Sequence, residues 1–210
     1  MTDAEMSSLI TAVMLRCIGK NRTDNIIGNI FLVKWFNKLE DAREISAAIN
    51  ACGRMDFQEI ALKFCLNNNG AKQQAEKIYV EYKQHIISAL KHIEESEKIT
   101  GNKYTIINAR DKIKDTIIGT VTSIISHSPI YEEGTIIVGL AYNENKIKVS
   151  ARIAGREGRN LREVLHKVVM HLGGEVGGHP NAAGCMIEKD KESLFIEELK
   201  KVLEVELVKV

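Results

Sequence analysis

The sequence predicts an α/β protein, with a helical N-terminal segment containing one long helix followed by a mixed-sheet α/β domain. Three observations lead there. Through the first hundred residues apolar side chains recur every three or four positions, most clearly at Ala71, Ala75, Ile78, Tyr82, Ile86, Leu90 and Ile93. That spacing is the stripe of an amphipathic helix over 71–98. After Gly101-Asn102 the period shortens to β-branched runs, the pattern of strands. Those runs then alternate with helical segments, as happens when helices cover a sheet. The division is a helical region over 1–98 and an α/β domain over 99–210.

Each element has its own signal. Thr2 and Glu5 have the spacing of a capping box, in which hydroxyl and carboxylate each satisfy a free amide at a helix start. Residues 9–18 are then apolar except for Thr11 and Arg16. Such a helix is expected to bury nearly all round, against protein before it in sequence or beside it in space, and a fragment of a longer protein is the expectation. Asp24 opens a second helical segment through Ile27, Ile30, Phe31 and Trp35. Asp41 caps a third helix over 42–52 that stops at Gly53, and a fourth runs over 57–66 into Asn67-Asn68-Asn69-Gly70. In the second half, 104–108 reads as a strand and 115–126 as a short helix. Strands over 135–142 and 146–153 flank the hairpin signal Asn143-Glu144-Asn145. Asn160 caps a helix over 161–172, a Gly-rich loop follows, and a strand at 185–187 leads to a helix over 191–202. Residues 205–210 alternate as a closing strand would.

Composition bounds the function. Of 210 residues, 44% are hydrophobic and 27% charged, the profile of a folded globular protein. No run approaches the roughly 20 apolar residues that span a bilayer. The start, Met1-Thr2-Asp3-Ala4-Glu5, has no basic stretch or apolar core of a signal peptide. An intracellular, cytoplasmic location without membrane contact is expected. Cys17, Cys52, Cys65 and Cys185 form no Cys-x-x-Cys pair, so buried reduced thiols are expected rather than zinc ligands. Net charge is +1, which alone predicts no polyanionic partner. Yet residues 146–167 hold seven Lys or Arg against two acids, a basic stripe of the kind that meets phosphates.

The most informative stretch is 173–184, with five glycines and two alanines in twelve residues. Glycine permits positive φ and close approach of backbone to ligand, so successive amides can converge on an anion. His179 stands where it can donate to a phosphate oxygen. A tight helix-to-strand connection with an incidental histidine accounts for the same residues.

A resemblance separates the two readings. Gly177-Gly178-His179-Pro180-Asn181-Ala182-Ala183-Gly184 resembles the signature of the DHH-associated domain, the C-terminal domain of DHH phosphoesterases. Lys148-Val149-Ser150-Ala151-Arg152 resembles the Ser-x-Arg strand of RecJ-type members. Asn50-Ala51-Cys52-Gly53-Arg54 resembles a segment that joins the two halves of RecJ and its archaeal relatives. Val176 departs from the family pattern by replacing a glycine.

The resemblance implies the substrate-binding half of a RecJ-like exonuclease acting on single-stranded nucleic acid. In the parent enzyme two manganese or magnesium ions are held by Asp and His residues that include an Asp-His-His triplet. Two-metal hydrolysis needs such ligands clustered about 4 Å apart, and this sequence has neither Asp-His-His nor Asp-x-Asp. No catalytic residue and no metal site are therefore expected here; the ligands belong to a separate DHH domain, and the chain alone is expected to be inactive. Ser150, Arg152, Gly177, Gly178, His179, Ala182, Ala183 and Gly184 would hold the strand, with Asn50, Gly53 and Arg54 at a terminal phosphate. Arg156 and Arg159 either track the backbone further or are ordinary exposed charges. Few aromatics are placed for base stacking, which favours backbone recognition. Other readings are a phosphodiesterase for short oligonucleotides or cyclic dinucleotides, a non-catalytic scaffold meeting replication proteins, and a transfer-RNA-binding appendage.

Overall fold

A computed structural model describes residues 2–17 and 28–205. The opening of the segment expected at Asp24, and the closing strand beyond Val205, lie outside the described residues.

Helix α1 (Asp3–Cys17) starts with the expected capping box: Thr2 N donates to Glu5 Oε2 at 2.7 Å and Glu5 N to Thr2 Oγ1 at 3.3 Å. Its apolar side chains are not covered. Met6, Leu9, Val13, Met14 and Leu15 are exposed, so the expected all-round burial is not met within this chain. None of the principal packing contacts among described elements involves α1.

Where the apolar spacing predicts a helix up to Trp35 there is instead a hairpin, β1 (Leu32–Trp35) against β2 (Lys38–Asp41). Its two turn residues, Phe36 and Asn37, are left-handed with φ of 45° and 61°, a conformation asparagine tolerates and two-residue hairpins require. Asn67 Oδ1 accepts a bond from Phe36 N at 3.2 Å. The rings of Trp35, Phe36 and Phe64 pack with centroids 5.7 to 5.9 Å apart.

Asp41 caps α2 (Ala42–Arg54), accepting from Arg43 N at 2.9 Å. After α3 (Gln58–Cys65), Asn68 caps α4 (Asn69–Glu95). The stripe read from the sequence is the buried face of α4: Ala71, Ala75, Ile78, Tyr82 and Ile93 are buried, with Ile86 and Leu90 partly so.

The second half is a six-stranded mixed sheet with helices on both faces. In chain order it comprises β3 (Ile99–Gly101), β4 (Tyr104–Asn108), α5 (Asp115–Ser126), β5 (Ile136–Asn143), β6 (Lys146–Ile153), α6 (Leu161–Val169), β7 (Val176–His179), β8 (Ala182–Glu188) and α7 (Glu192–Val205). The strand order is β3-β4-β5-β6-β8-β7. Only β4 and β5 run parallel among these strands; a parallel pair needs a crossover, and α5 supplies it. The expected Gly-rich loop is partly strand, because Val176 to His179 pair with Cys185 to Ala182 around the turn Pro180-Asn181.

Two cores result. Ile107, Ile137, Ala141, Ile117 and Val121 join α5 and one face of the sheet to the buried faces of α2 and α4. On the opposite face Ile147, Val149, Ala151 and Ile153 pack with Leu161, Leu165, Phe195 and Leu199 of α6 and α7. Val176 packs against this second core, so its departure from the family pattern adds apolar contact there. Cys52 and Cys185 are buried as expected, whereas Cys65 is exposed; Cys65 ends the short α3, whose apolar contact is made by Phe64.

Candidate functional site

Side chains alternate between the faces of a strand. On β6 the odd-numbered residues meet α6 and α7. Lys146, Lys148, Ser150 and Arg152 therefore face the side of the sheet on which α5 lies. Directly opposed residues of antiparallel strands share a face, so the register extends this surface. Arg152 lies opposite Ala182 and Ala182 opposite His179; Ser150 lies opposite Gly184 and Gly184 opposite Gly177. Two strand spacings place Arg152 and His179 about 10 Å apart on one face.

Between them only small residues form the floor. α5 packs on β5 and β6, while Gly177 and His179 remain exposed and Ala182 and Gly184 half-buried. The result is a trough with Gly177, Gly184 and Ala182 as its floor. Arg152, Ser150 and α5 flank one side and His179 the other. Along the sheet it runs into a cleft of about 700 Å³ lined by Lys146, Lys148, Gly174, Glu175 and Glu188, among others.

Two of the expected glycine and alanine positions point elsewhere. Gly178 and Ala183 oppose each other, and Ala183, 3% exposed, belongs to the core under α6 and α7. Gly178 has φ of +120°, and a Cβ there would come 2.4 Å from Ala182 O. It is needed by the backbone. At Gly177 an added Cβ would meet nothing within 4 Å, so its bare surface is open trough.

α2 brings in the third element. Asn50, Gly53 and Arg54 fall at i, i+3 and i+4, one face of the last helical turns. Asn50 and Gly53 are exposed, and Arg54 Nη1 donates to Thr116 O of α5 at 3.1 Å. Arg152 also approaches α5, its Nη2 lying 3.9 Å from where a Cβ on Gly119 would stand, one turn on from Thr116. Burial first, and then the Arg54 charge, hold the Arg152 guanidinium below its usual pKa, although arginine remains protonated at physiological pH. Arg152 Nη1 bonds only a backbone carbonyl, Ala151 O, at 2.8 Å, and no carboxylate pairs with either arginine among the described residues. Ser150, 5% exposed, presents a hydroxyl without a hydrogen-bond partner among the described residues.

Sequence reasoning missed Gly119. A Cβ there would sit 3.4 Å from Ser150 Oγ and 3.9 Å from Arg152 Nη2, so this glycine is where α5 approaches the site. A lone glycine inside an apolar helical pattern was the available signal. Arg159 does not track along the trough: its Nη1 and Nη2 donate to Leu203 O and Val202 O at 3.0 Å each, capping α7. Arg156 is exposed.

Among the described residues no three His, Cys, Asp or Glu side chains gather where they could hold a metal ion. They do not fit a manganese or magnesium site. No helix among the described residues is long and apolar enough to cross a membrane.

A half-covered mixed sheet with a helical lead-in defines an α/β module whose open face carries the polar side chains. The DHHA1 domain matches residues 101–205, and the chain belongs to that family. It is 25% identical over 205 residues to an uncharacterised protein of Methanocaldococcus jannaschii, a match covering 96% of this chain and 43% of that protein. Among solved structures it is similar to RecJ of Thermus thermophilus in complex with Mg2+, with a TM-score of 0.60 and 18% identity over 75% of this chain and 24% of that one. It is similar also to an exonuclease RecJ bound to manganese, with a TM-score of 0.58 and 16% identity over 93% of this chain and 45% of that one. At such identities the likeness is one of fold. The chain spans less than half the length of each.

Proposed function

We propose that this chain is the substrate-holding half of a RecJ-like DHH phosphoesterase and grips the sugar-phosphate backbone of single-stranded nucleic acid in the trough. The observation that carries this reading is the pair Arg54 and Arg152. Both approach α5, Arg54 at Thr116 O and Arg152 beside Gly119 one turn further on, without a carboxylate partner among the described residues, with the Ser150 hydroxyl beside Gly119 and His179 on the same face of the sheet. Two neighbouring guanidiniums repel unless an anion lies between them, and guanidinium forks match phosphate oxygens. Ala182, Gly184 and Gly177 let a polymer lie close to the sheet. Tyr104 is buried and Lys189 Nζ lies 3.8 Å over the ring of Tyr142, so neither ring is open for stacking, and contacts to the backbone carry no base information. Chemistry at a phosphodiester would need metal ligands from a separate DHH domain; the role of this half is to hold and orient the strand.

The test is the salt dependence of single-strand binding by fluorescence anisotropy. Log affinity should fall against log salt at about −0.7 per phosphate contact, and Arg152→Gln should make that slope shallower by about 0.7. Every base sequence should be affected alike. A salt-independent affinity, or a loss confined to one sequence, contradicts the proposal.

A further inference from the structure

We infer that Lys148 is a second phosphate contact, two nucleotide repeats from the Arg54–Arg152 pair, and that the track ends there. This rests on the reading of the trough as a phosphate site. Along β6 the residues facing the trough are Arg152, Ser150, Lys148 and Lys146. Successive ones are two residues apart, about 6.8 Å in an extended strand, which is close to one sugar-phosphate repeat of an extended single strand. The Ser150 hydroxyl, without a partner among the described residues, lies at the middle step. Lys148 lies at the next, lining the cleft that the trough enters, with its Nζ 3.8 Å from Asp115 Oδ2. At that distance the pair is loose, and the ammonium keeps donors available for a phosphate.

Beyond Lys148 the charge reverses. Lys146 Nζ lies 3.9 Å from Glu188 Oε1, and Glu188 and Glu175 both line the cleft. Lys146 is paired as loosely as Lys148. A further phosphate would, however, meet two carboxylates, Glu188 and Glu175, against that one lysine, so the strand leaves the sheet after the Lys148 step. This half accordingly reads three consecutive phosphates and nothing more.

The experiment compares 5′-phosphorylated thymidine dinucleotide and tetranucleotide on the full chain. Lys148→Gln should weaken the tetranucleotide about fivefold, the effect of one partly exposed ion pair, and leave the dinucleotide unchanged. Lys148→Arg should restore binding, and Lys146→Gln should alter neither ligand. Equal loss on both lengths would mean that Lys148 acts by positioning α5 through Asp115, and overturns the inference, as does no loss at all. If Arg152→Gln weakens both ligands while Lys148→Gln weakens neither, only the second contact is wrong. If Arg152→Gln weakens neither, or the wild type binds neither, the phosphate-site reading itself fails.

Discussion

The two faces of the main sheet are made by the same strands and end differently. One is sealed: Ile147, Val149, Ala151, Ala183, Cys185 and Ile187 meet α6 and α7, and each is 6% exposed or less. The other is sealed only as far as α5 reaches, and past it the alternate residues of β6, β8 and β7 are arginine, serine, lysine, alanine, glycine and histidine, with Met186 and Glu188 towards the far end of β8. A strand cannot choose the faces of its residues independently, because the period of two fixes them. The sheet therefore carries a stability face and a binding face in one sequence, and substitutions on neighbouring residues should fall into separate classes.

The largest effect belongs on the sealed face. Leu165→Ala should lower unfolding free energy by about 3 kcal/mol, measured by chemical denaturation, whereas Ser150→Ala on β6 should leave it nearly unchanged and weaken binding. A tolerant Leu165 would break the comparison.

Adjacent glycines sharpen it. Gly178→Ala places a Cβ against Ala182 O at a positive φ and should destabilise by about 2 kcal/mol. Gly177→Ala should move stability by no more than about 0.5 kcal/mol. Gly177→Leu fills the trough; a melting temperature near wild type with affinity about tenfold weaker is expected, since a blocked site forfeits its hydrogen bonds. Equal melting losses at both positions would make the stretch purely structural.

The smallest effect is alkaline. Tyr104, on the sealed face, donates to Glu204 Oε1 at 2.8 Å, and burial first, then that bond, push its pKa up to about 12. An unfolded tyrosine titrates near 10. The contribution is present in full below about pH 10 and is lost as pH rises towards 12, where the unfolded chain sheds a proton the folded one retains. Tyr104→Phe should flatten that decline in denaturation midpoints above pH 10; an unchanged slope contradicts the assignment.

Much of the architecture was legible because periodicity and caps agree. Asp41, Asn160 and the α4 stripe announce their helices, and the β-branched runs announce β4, β5 and β6. The elements that escaped have no local signal. β7 is half glycine, with almost no strand propensity of its own, and forms through its register with β8. The β1–β2 turn uses Phe36-Asn37 where a glycine would have announced it. For the site, motif residues could be named but not assigned to faces. That Ala183 lies in the core, that Gly178 is set by its positive φ against the Ala182 backbone, and that Arg159 caps α7 from 44 residues away, are consequences of register and tertiary packing. The convergence of Arg54 and Arg152 on α5 is likewise invisible in a chain where they stand 98 positions apart.

The most direct measurement is a double-mutant cycle of Arg152→Gln and His179→Gln, read by the affinity of a 5′-phosphorylated tetranucleotide. If both walls of the trough hold the same strand, each change weakens binding and their effects couple by about 0.5 kcal/mol or more. Two changes that each leave the affinity at the wild-type value would contradict the account.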